Sequence, residues 1–304
     1  MKIIVTGASG FIGSYLSSAL LQNHDVYAIG TRRNIDQIST IFGYVIPYYP
    51  CNYSLNQLDY ILKNVKPDVL VNLAAQRPNE KLSEPGNYFV NLRIAANIFE
   101  ASLHNNLPNI IDFSTRKVYS LSNEVPWSEA DCLAPNDYYS LSKQWAENAA
   151  AYYNRKGLNI KTLRLAQVIG IGEREGYVLQ LYLKNAMHGL PLRVYGKCDG
   201  KRHFVYVKDV VGAIEAAIAC PQKSGIYNIG MLGSYGFDEL AHTINAVFGG
   251  KSEVVYHQDA KADESIYHMS IDKARLEIGW LPHYDLYATY VDMKQDIELY
   301  QIQV

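Results

Sequence analysis

Three glycines spaced three apart, Gly7, Gly10 and Gly13, stand between a strand-like run, Lys2–Val5, and a helical apolar pattern at Phe11, Ile12, Leu16, Ala19 and Leu20. Each glycine answers a physical need. Gly7 allows a tight turn, Gly10 lets the backbone approach a pyrophosphate, and Gly13 lets the helix lie against the strand. The N–H groups at the start of that helix, about Phe11 and Ile12, are then free to receive phosphate oxygens. A glycine-rich turn without a ligand is the alternative, and strand and helix so close on either side argue against it.

The second expected strand, Asp25–Ile29, runs into Gly30-Thr31-Arg32-Arg33. An acid at this point would take the ribose 2′-hydroxyl of NAD, whereas a cation suits the 2′-phosphate of NADP. No acid is present. Thr31, Arg32 and Arg33 therefore favour NADP(H) over NAD, because the planar guanidinium fits a phosphate.

Further along, expected strands at 44–48, 67–75, 109–113 and 158–165 alternate with expected helices. This rhythm predicts an α/β fold built on a doubly wound parallel sheet. Ser54 is placed to cap the helix after the third strand. Leu73, Ala74 and Ala75 end a nearly continuous apolar strand, where small residues leave room for a dinucleotide across the sheet edge. Ligands of such sheets bind outside the carboxyl ends of the strands.

Ser114-Thr115 ends another strand, and Asp137-Tyr138-Tyr139-Ser140-Leu141-Ser142-Lys143 opens a helical stretch. Tyr139 and Lys143 are four apart and share a helix face. A phenol with an ordinary pKa near ~10 is a poor base at neutral pH. An ammonium one turn away favours the phenolate. Thr115 would then hold a substrate oxygen while Tyr139 moves its proton. With 25 tyrosines in the chain, Tyr-x-x-x-Lys has weight only beside the glycine triplet and the Ser-Thr strand end.

Together these residues resemble the extended short-chain dehydrogenase/reductase family, in particular its nucleotide-sugar epimerases, dehydratases and 4-keto reductases. By that resemblance Thr115, Tyr139 and Lys143 are the catalytic trio, and Val118-Tyr119 is the family's VY pair. Asn52 stands where the family often has an Asp for the adenine amine, and Asn91 joins the residues expected to touch the dinucleotide. Arg164–Gly170 resembles R-x-x-N-V-Y-G, with Gln167 replacing an Asn that touches the sugar nucleotide. Lys201–Val210 resembles R-D-F-I-Y-V-x-D-V, which implies a pyrophosphate contact for Arg202. Tyr227-Asn228-Ile229-Gly230 matches a structural signature. Near Ala260 many relatives carry a second phosphate-binding Arg; Lys261 is the available substitute. Arg77, Glu80 and Glu173–Glu175 fall where relatives meet the sugar.

Family dehydratases commonly have Asp-Glu after the catalytic Thr, and here those positions are Arg116 and Lys117. Dehydration is disfavoured. The run from Ser114 to Glu147 resembles bacterial UDP-sugar 4-epimerases, which makes a 4-epimerase the first expectation and an NADPH-dependent 4-keto-sugar reductase the second. A non-catalytic dinucleotide-binding regulator is a third reading, against which the intact trio speaks. The resemblance implies a dinucleotide-binding part at 1–166 and a substrate part at 167–304, with some segments returning to the first. It also implies a homodimer formed through the helices at 87–105 and 138–156.

A net charge of −2 with 19% charged residues lacks the basic excess of a nucleic-acid binder. No apolar run approaches the ~18 residues that span a bilayer, so no membrane partner is expected. The chain enters a strand at once, without a signal-peptide apolar region. Cys51, Cys132, Cys198 and Cys220 are scattered, as free thiols of a cytoplasmic protein would be. The histidines form no ligand-spaced pair, so no metal site is expected.

Overall fold

The computed structural model describes residues 1–78, 84–173, 177–196, 198–261 and 264–302. The first half alternates as the sequence pattern requires: β1 (Lys2–Thr6), α1 (Phe11–Leu20), β2 (Asp25–Gly30), β3 (Gln37–Ser39), β4 (Val45–Pro50), α2 (Leu55–Val65), β5 (Val69–Asn72), α3 (Gly86–His104), β6 (Asn109–Thr115), α4 (Tyr138–Asn154) and β7 (Asn159–Leu165). A single 3-10 turn, Arg116–Val118, follows β6. The second half has shorter elements: β8 (Gln167–Ile169), α5 (Val178–His188), β9 (Leu192–Tyr195), β10 (Arg202–Tyr206), α6 (Val207–Ala219), β11 (Gly225–Ile229), β12 (Ser234–Tyr235), α7 (Phe237–Val247), β13 (Val254–His257), α8 (Asp272–Ile278) and α9 (Leu286–Tyr300).

The large sheet runs β11-β7-β6-β5-β1-β2-β4-β3, parallel throughout except for β3, which pairs antiparallel with β4 at one edge. The strand order reverses between β1 and β5, so the loop after β1 sits at the topological switch point, where such sheets bind ligands. One apolar layer packs α2, α3 and α4 on one face through Leu58, Ile98, Phe99, Ala146 and Ala150. The other face carries α1 and α6 and merges with the core of the second half through Leu16, Val210, Ile214 and Tyr290. Central strands buried on both sides account for the apolar runs of β1 and β5.

Two small sheets, β12-β10-β8 and β13-β9, build the second half, while β11 returns to the large sheet beside β7. Arg164 ties the halves. Its guanidinium forks onto Glu147 (2.8 and 2.7 Å) and donates to the Tyr119 hydroxyl, which in turn donates to Asn228 of β11 (2.7 Å). Among the described residues no helix is long and apolar enough to cross a membrane.

Candidate active site

A cleft of about 730 Å³ opens at the carboxyl ends of β1, β2, β5 and β6. Its floor is the glycine loop. Gly7 has φ +66°, and a Cβ there would stand 3.1 Å from the Leu73 carbonyl. A Cβ on Gly13 would strike the Gly7 oxygen at 2.2 Å, so helix and loop meet only because that residue has no side chain. Among the described residues, its chain neighbours aside, a Cβ on Gly10 would have only the Gly7 oxygen within 4 Å, at 3.1 Å. Among the described residues no side chain caps α1, which leaves its first-turn N–H groups at Phe11, Ile12 and Gly13, all lining the cleft, for a phosphate. This cradle fits a dinucleotide pyrophosphate.

At the other wall, β6 delivers Ser114 and Thr115, and the 3-10 turn brings Arg116 and Lys117 alongside. Thr115 Oγ1 accepts the Lys117 N–H at 3.3 Å. Asp137 starts α4 with a capping box, accepting the Ser140 N–H at 2.7 Å, and so fixes Tyr139 in the first turn. Thr115, Tyr139 and Lys143 all line the cleft.

Burial pushes the Tyr139 phenol up to about 12, and the cation pulling it back most is Arg77. Arg77 is a cation that the sequence expectation, in which Lys143 and a positively charged nicotinamide favour the phenolate, does not include. Lys143 itself is buried; burial presses its ammonium down, while Asp112 and Glu147 support its charge. The difference is one of wiring: Arg77 enters from the segment after β5, a position that Tyr-x-x-x-Lys spacing does not describe. Arg77 also pairs with Glu173 at 2.9 Å, joining the segments after β5 and β8.

Of the other expected site residues, Thr31, Arg32, Leu73, Ala74, Ala75, Arg77 and Gln167 line the cleft. Arg33 is exposed and does not. Asn52 is also outside the lining, and its amide oxygen accepts the Ser54 N–H at 2.8 Å, an alternative use of the group expected for the adenine. Ser54 makes no side-chain cap to α2. Asn91 stands behind the wall, accepting the Gln76 N–H (2.7 Å) and donating to the Gln76 carbonyl and to Ser142. Arg202 is buried with its guanidinium over the Tyr267 ring at 4.7 Å, donating to the Ser265 carbonyl, rather than lining the cleft. Lys261 is exposed. Glu80 and Glu175 lie outside the described residues.

Several lining residues went unread in the sequence. Tyr48 and Tyr53 lie beneath the end of β2, where the Tyr48 hydroxyl accepts the Arg32 N–H at 2.8 Å and fills the space a Gly30 Cβ would need. Tyr177 also lines the cleft, with Arg77 over its ring. Nothing local marks these three among so many tyrosines. Arg116 stacks on Tyr267 at 4.3 Å, and Lys117 pairs with Asp137 at 2.9 Å.

The family model for the NAD dependent epimerase/dehydratase family matches residues 3–230, three quarters of the chain. The chain belongs to that family. It is thus an extended short-chain dehydrogenase/reductase enzyme of an NAD-dependent family. The dTDP-glucose 4,6-dehydratase of Streptomyces niveus is 26% identical over 296 residues, covering 93% of this chain and 88% of that protein. The dTDP-4-dehydro-6-deoxyglucose reductase of Escherichia coli is 24% identical, with 92% of each chain covered. Among solved structures, the UDP-N-acetylglucosamine 4-epimerase of Bacillus cereus superposes with a TM-score of 0.86 at 27% identity, over 98% of this chain and 96% of the other.

Proposed function

We propose that this family member is an NAD(P)-dependent nucleotide-sugar 4-epimerase of the UDP-sugar type. The observation that carries the reading is the sequence of groups along one wall of the cleft: Thr115, then Arg116 and Lys117, with Tyr139 and Lys143 beside them. Tyr139 takes the proton of a sugar hydroxyl and returns it, with Thr115 holding the same oxygen. Lys143 binds the nicotinamide ribose. A nicotinamide bound over this wall supplies the hydride acceptance and return, while the protein supplies orientation and proton transfer. Arg77, paired with Glu173, and Gln167 contact the sugar nucleotide.

Loss of water requires a further acid and base next to Thr115, and a guanidinium stacked on Tyr267 and an ammonium paired with Asp137 do neither at neutral pH. This sets the chain apart from a dehydratase despite its similarity to one. One observation favours the second reading, an NADPH-dependent 4-keto-sugar reductase: Arg32 lines the cleft at the end of β2, where no acid stands.

In this proposal residues 1–166, with β11, hold the dinucleotide and residues 167–304 close over the sugar. The protein works in the cytoplasm, its four cysteines unpaired, as a homodimer joined through α3 and α4, which expose Phe89 and Tyr152.

The test is incubation with UDP-, dTDP-, GDP- and CDP-sugars and their 4-keto derivatives, following 340-nm absorbance and the epimer ratio by NMR. Epimer exchange without net dinucleotide consumption supports the 4-epimerase. Net NADPH oxidation by a 4-keto sugar makes it a reductase, and no reaction with any of them overturns both.

A further inference from the structure

Beneath α4 lies a row of four buried charges, Asp112, Lys143, Glu147 and Arg164, none more than 5% exposed. Strand alternation puts Ile110, Asp112 and Ser114 on one face of β6. Ile110 packs in the same apolar cluster as Ala146 and Ala150, so Asp112 faces the preceding turn of α4, where Lys143 stands. Ser114 is in register with Arg164 of β7, which extends the row to that strand.

Charge balance within the row is uneven. Glu147 is engaged at both oxygens by Arg164, at 2.8 and 2.7 Å. Asp112 has no such cation: Oδ1 accepts from Asn72 Nδ2 at 2.8 Å, and Oδ2 is buried without a hydrogen-bond partner among the described residues. Asn72 in turn accepts from the Thr6 hydroxyl at 2.9 Å, and Thr6 accepts the Ala74 N–H at 2.7 Å. A polar thread thus runs from the end of β1, where the glycine loop begins, to the side of Lys143.

We propose that Asp112 is the counter-ion of Lys143, a positioning residue that keeps the buried ammonium charged and ties it through Asn72 and Thr6 to the root of the glycine loop. A buried charge without an opposite one is costly, and among the described residues no cation forms an ion pair with Asp112, whereas Glu147 is held by Arg164. Burial raises the Asp112 carboxyl and lowers the Lys143 ammonium, and against that burial each is the other's leading opposite charge. On the elements packed against α4, other charged or titratable groups have partners of their own: Glu147 pairs with Arg164, Glu100 of α3 accepts from Tyr153, Arg116 lies on Tyr267, Lys117 pairs with Asp137, and Tyr227 of β11 donates to Glu277.

The pairing is tested by a double-mutant cycle in Tm at pH 7 with Asp112→Asn and Lys143→Met. Lys143→Met alone leaves Asp112 buried and unpaired, so adding Asp112→Asn should raise Tm by a few degrees in that background while lowering it in the unaltered protein. If Asp112→Asn alone does not fold, the double variant should still fold. Additive losses, or a double variant that fails where both singles fold, overturn the pairing.

A second arm, which rests on the proposed function, titrates NADH and NADPH by fluorescence from pH 6 to 9. Without the carboxylate the ammonium loses its proton at lower pH, so affinity should begin to fall at least about one pH unit earlier in Asp112→Asn than in the unaltered protein. A parallel pH profile, with only Tm changed, would make Asp112 merely structural. Failure of the unaltered protein to bind either dinucleotide would count against the proposed function, and the Tm cycle would still decide the pairing.

Discussion

Arg77 Nη2 stands 2.9 Å from Glu173 Oε1, across the cleft from one half of the chain to the other, and the same guanidinium is the main cation acting on the Tyr139 phenol. Position and charge thus meet in a residue that is neither in the proposed trio Thr115, Tyr139 and Lys143 nor in the glycine loop. Removing its charge as Arg77→Met leaves less phenolate at any given pH, because the pKa of Tyr139 rises further. The expected result is a fall of about tenfold in turnover at pH 7 per unit of pKa shift, and a displacement of the ascending limb of the pH–rate profile to higher pH. An unchanged profile would remove Arg77 from this role.

His203 gives the fold a defined acid sensitivity. Burial presses its imidazole down to about 4; Nε2 bonds the Met231 carbonyl (2.7 Å) and Nδ1 accepts the Met269 N–H (3.1 Å), so the ring is held neutral. Between its ordinary value of 6.5 and about 4, the unfolded chain binds a proton that the folded chain does not. Stability therefore falls with acidification across that window, by up to about 1.4 kcal/mol per pH unit. Urea unfolding at pH 7, 6, 5 and 4 should show this slope, and His203→Gln should flatten it.

Much of this was legible in the sequence, for a physical reason: the glycine loop, the buried strands and the helix after Asp137 are specified by near neighbours. The parallel sheet follows from alternation, and its cleft from the glycine spacing. Long-range placement was not legible. The edge strand β3 is three residues long and formed only by pairing with β4. Tyr48 reaches under Gly30 from a different strand. Arg202, for which the family resemblance implies a pyrophosphate contact, lies over the Tyr267 ring, a placement that no local pattern marks. Asp112 interrupts the apolar run of β6, and no local pattern marks the Asn72 amide that reaches it from β5.

Gly13 and Gly10 separate structure from binding. Gly13→Ala places a Cβ 2.2 Å from the Gly7 oxygen and 2.7 Å from the Ala8 Cα, and backbone must move. It should cost on the order of 1–3 kcal/mol by overpacking and abolish dinucleotide binding. Among the described residues beyond its chain neighbours, Gly10→Ala meets only the Gly7 oxygen, at 3.1 Å, so Tm should change little while dinucleotide affinity falls through loss of close approach. Thermal melts beside NADH titration check both.

The Glu147–Arg164 pair is buried on both sides, at 3% and 1% exposure. Arg164→Met strands the carboxylate and should destabilise by about 3–5 kcal/mol, whereas Glu147→Leu with Arg164→Met should recover part of the loss. Equilibrium unfolding of the single and double variants measures it. A double variant less stable than Arg164→Met would show that the network to Tyr119 and Asn228, rather than charge burial, dominates.

The most direct measurement is turnover and dinucleotide affinity of Tyr139→Phe, with the substrate found by the nucleotide-sugar screen. Removing one hydroxyl from the wall opposite the glycine loop should lower turnover by about 10²–10⁴-fold while leaving dinucleotide affinity unchanged. Full activity in Tyr139→Phe would contradict the assignment of the proton-transferring group and, with it, the proposed chemistry of the cleft.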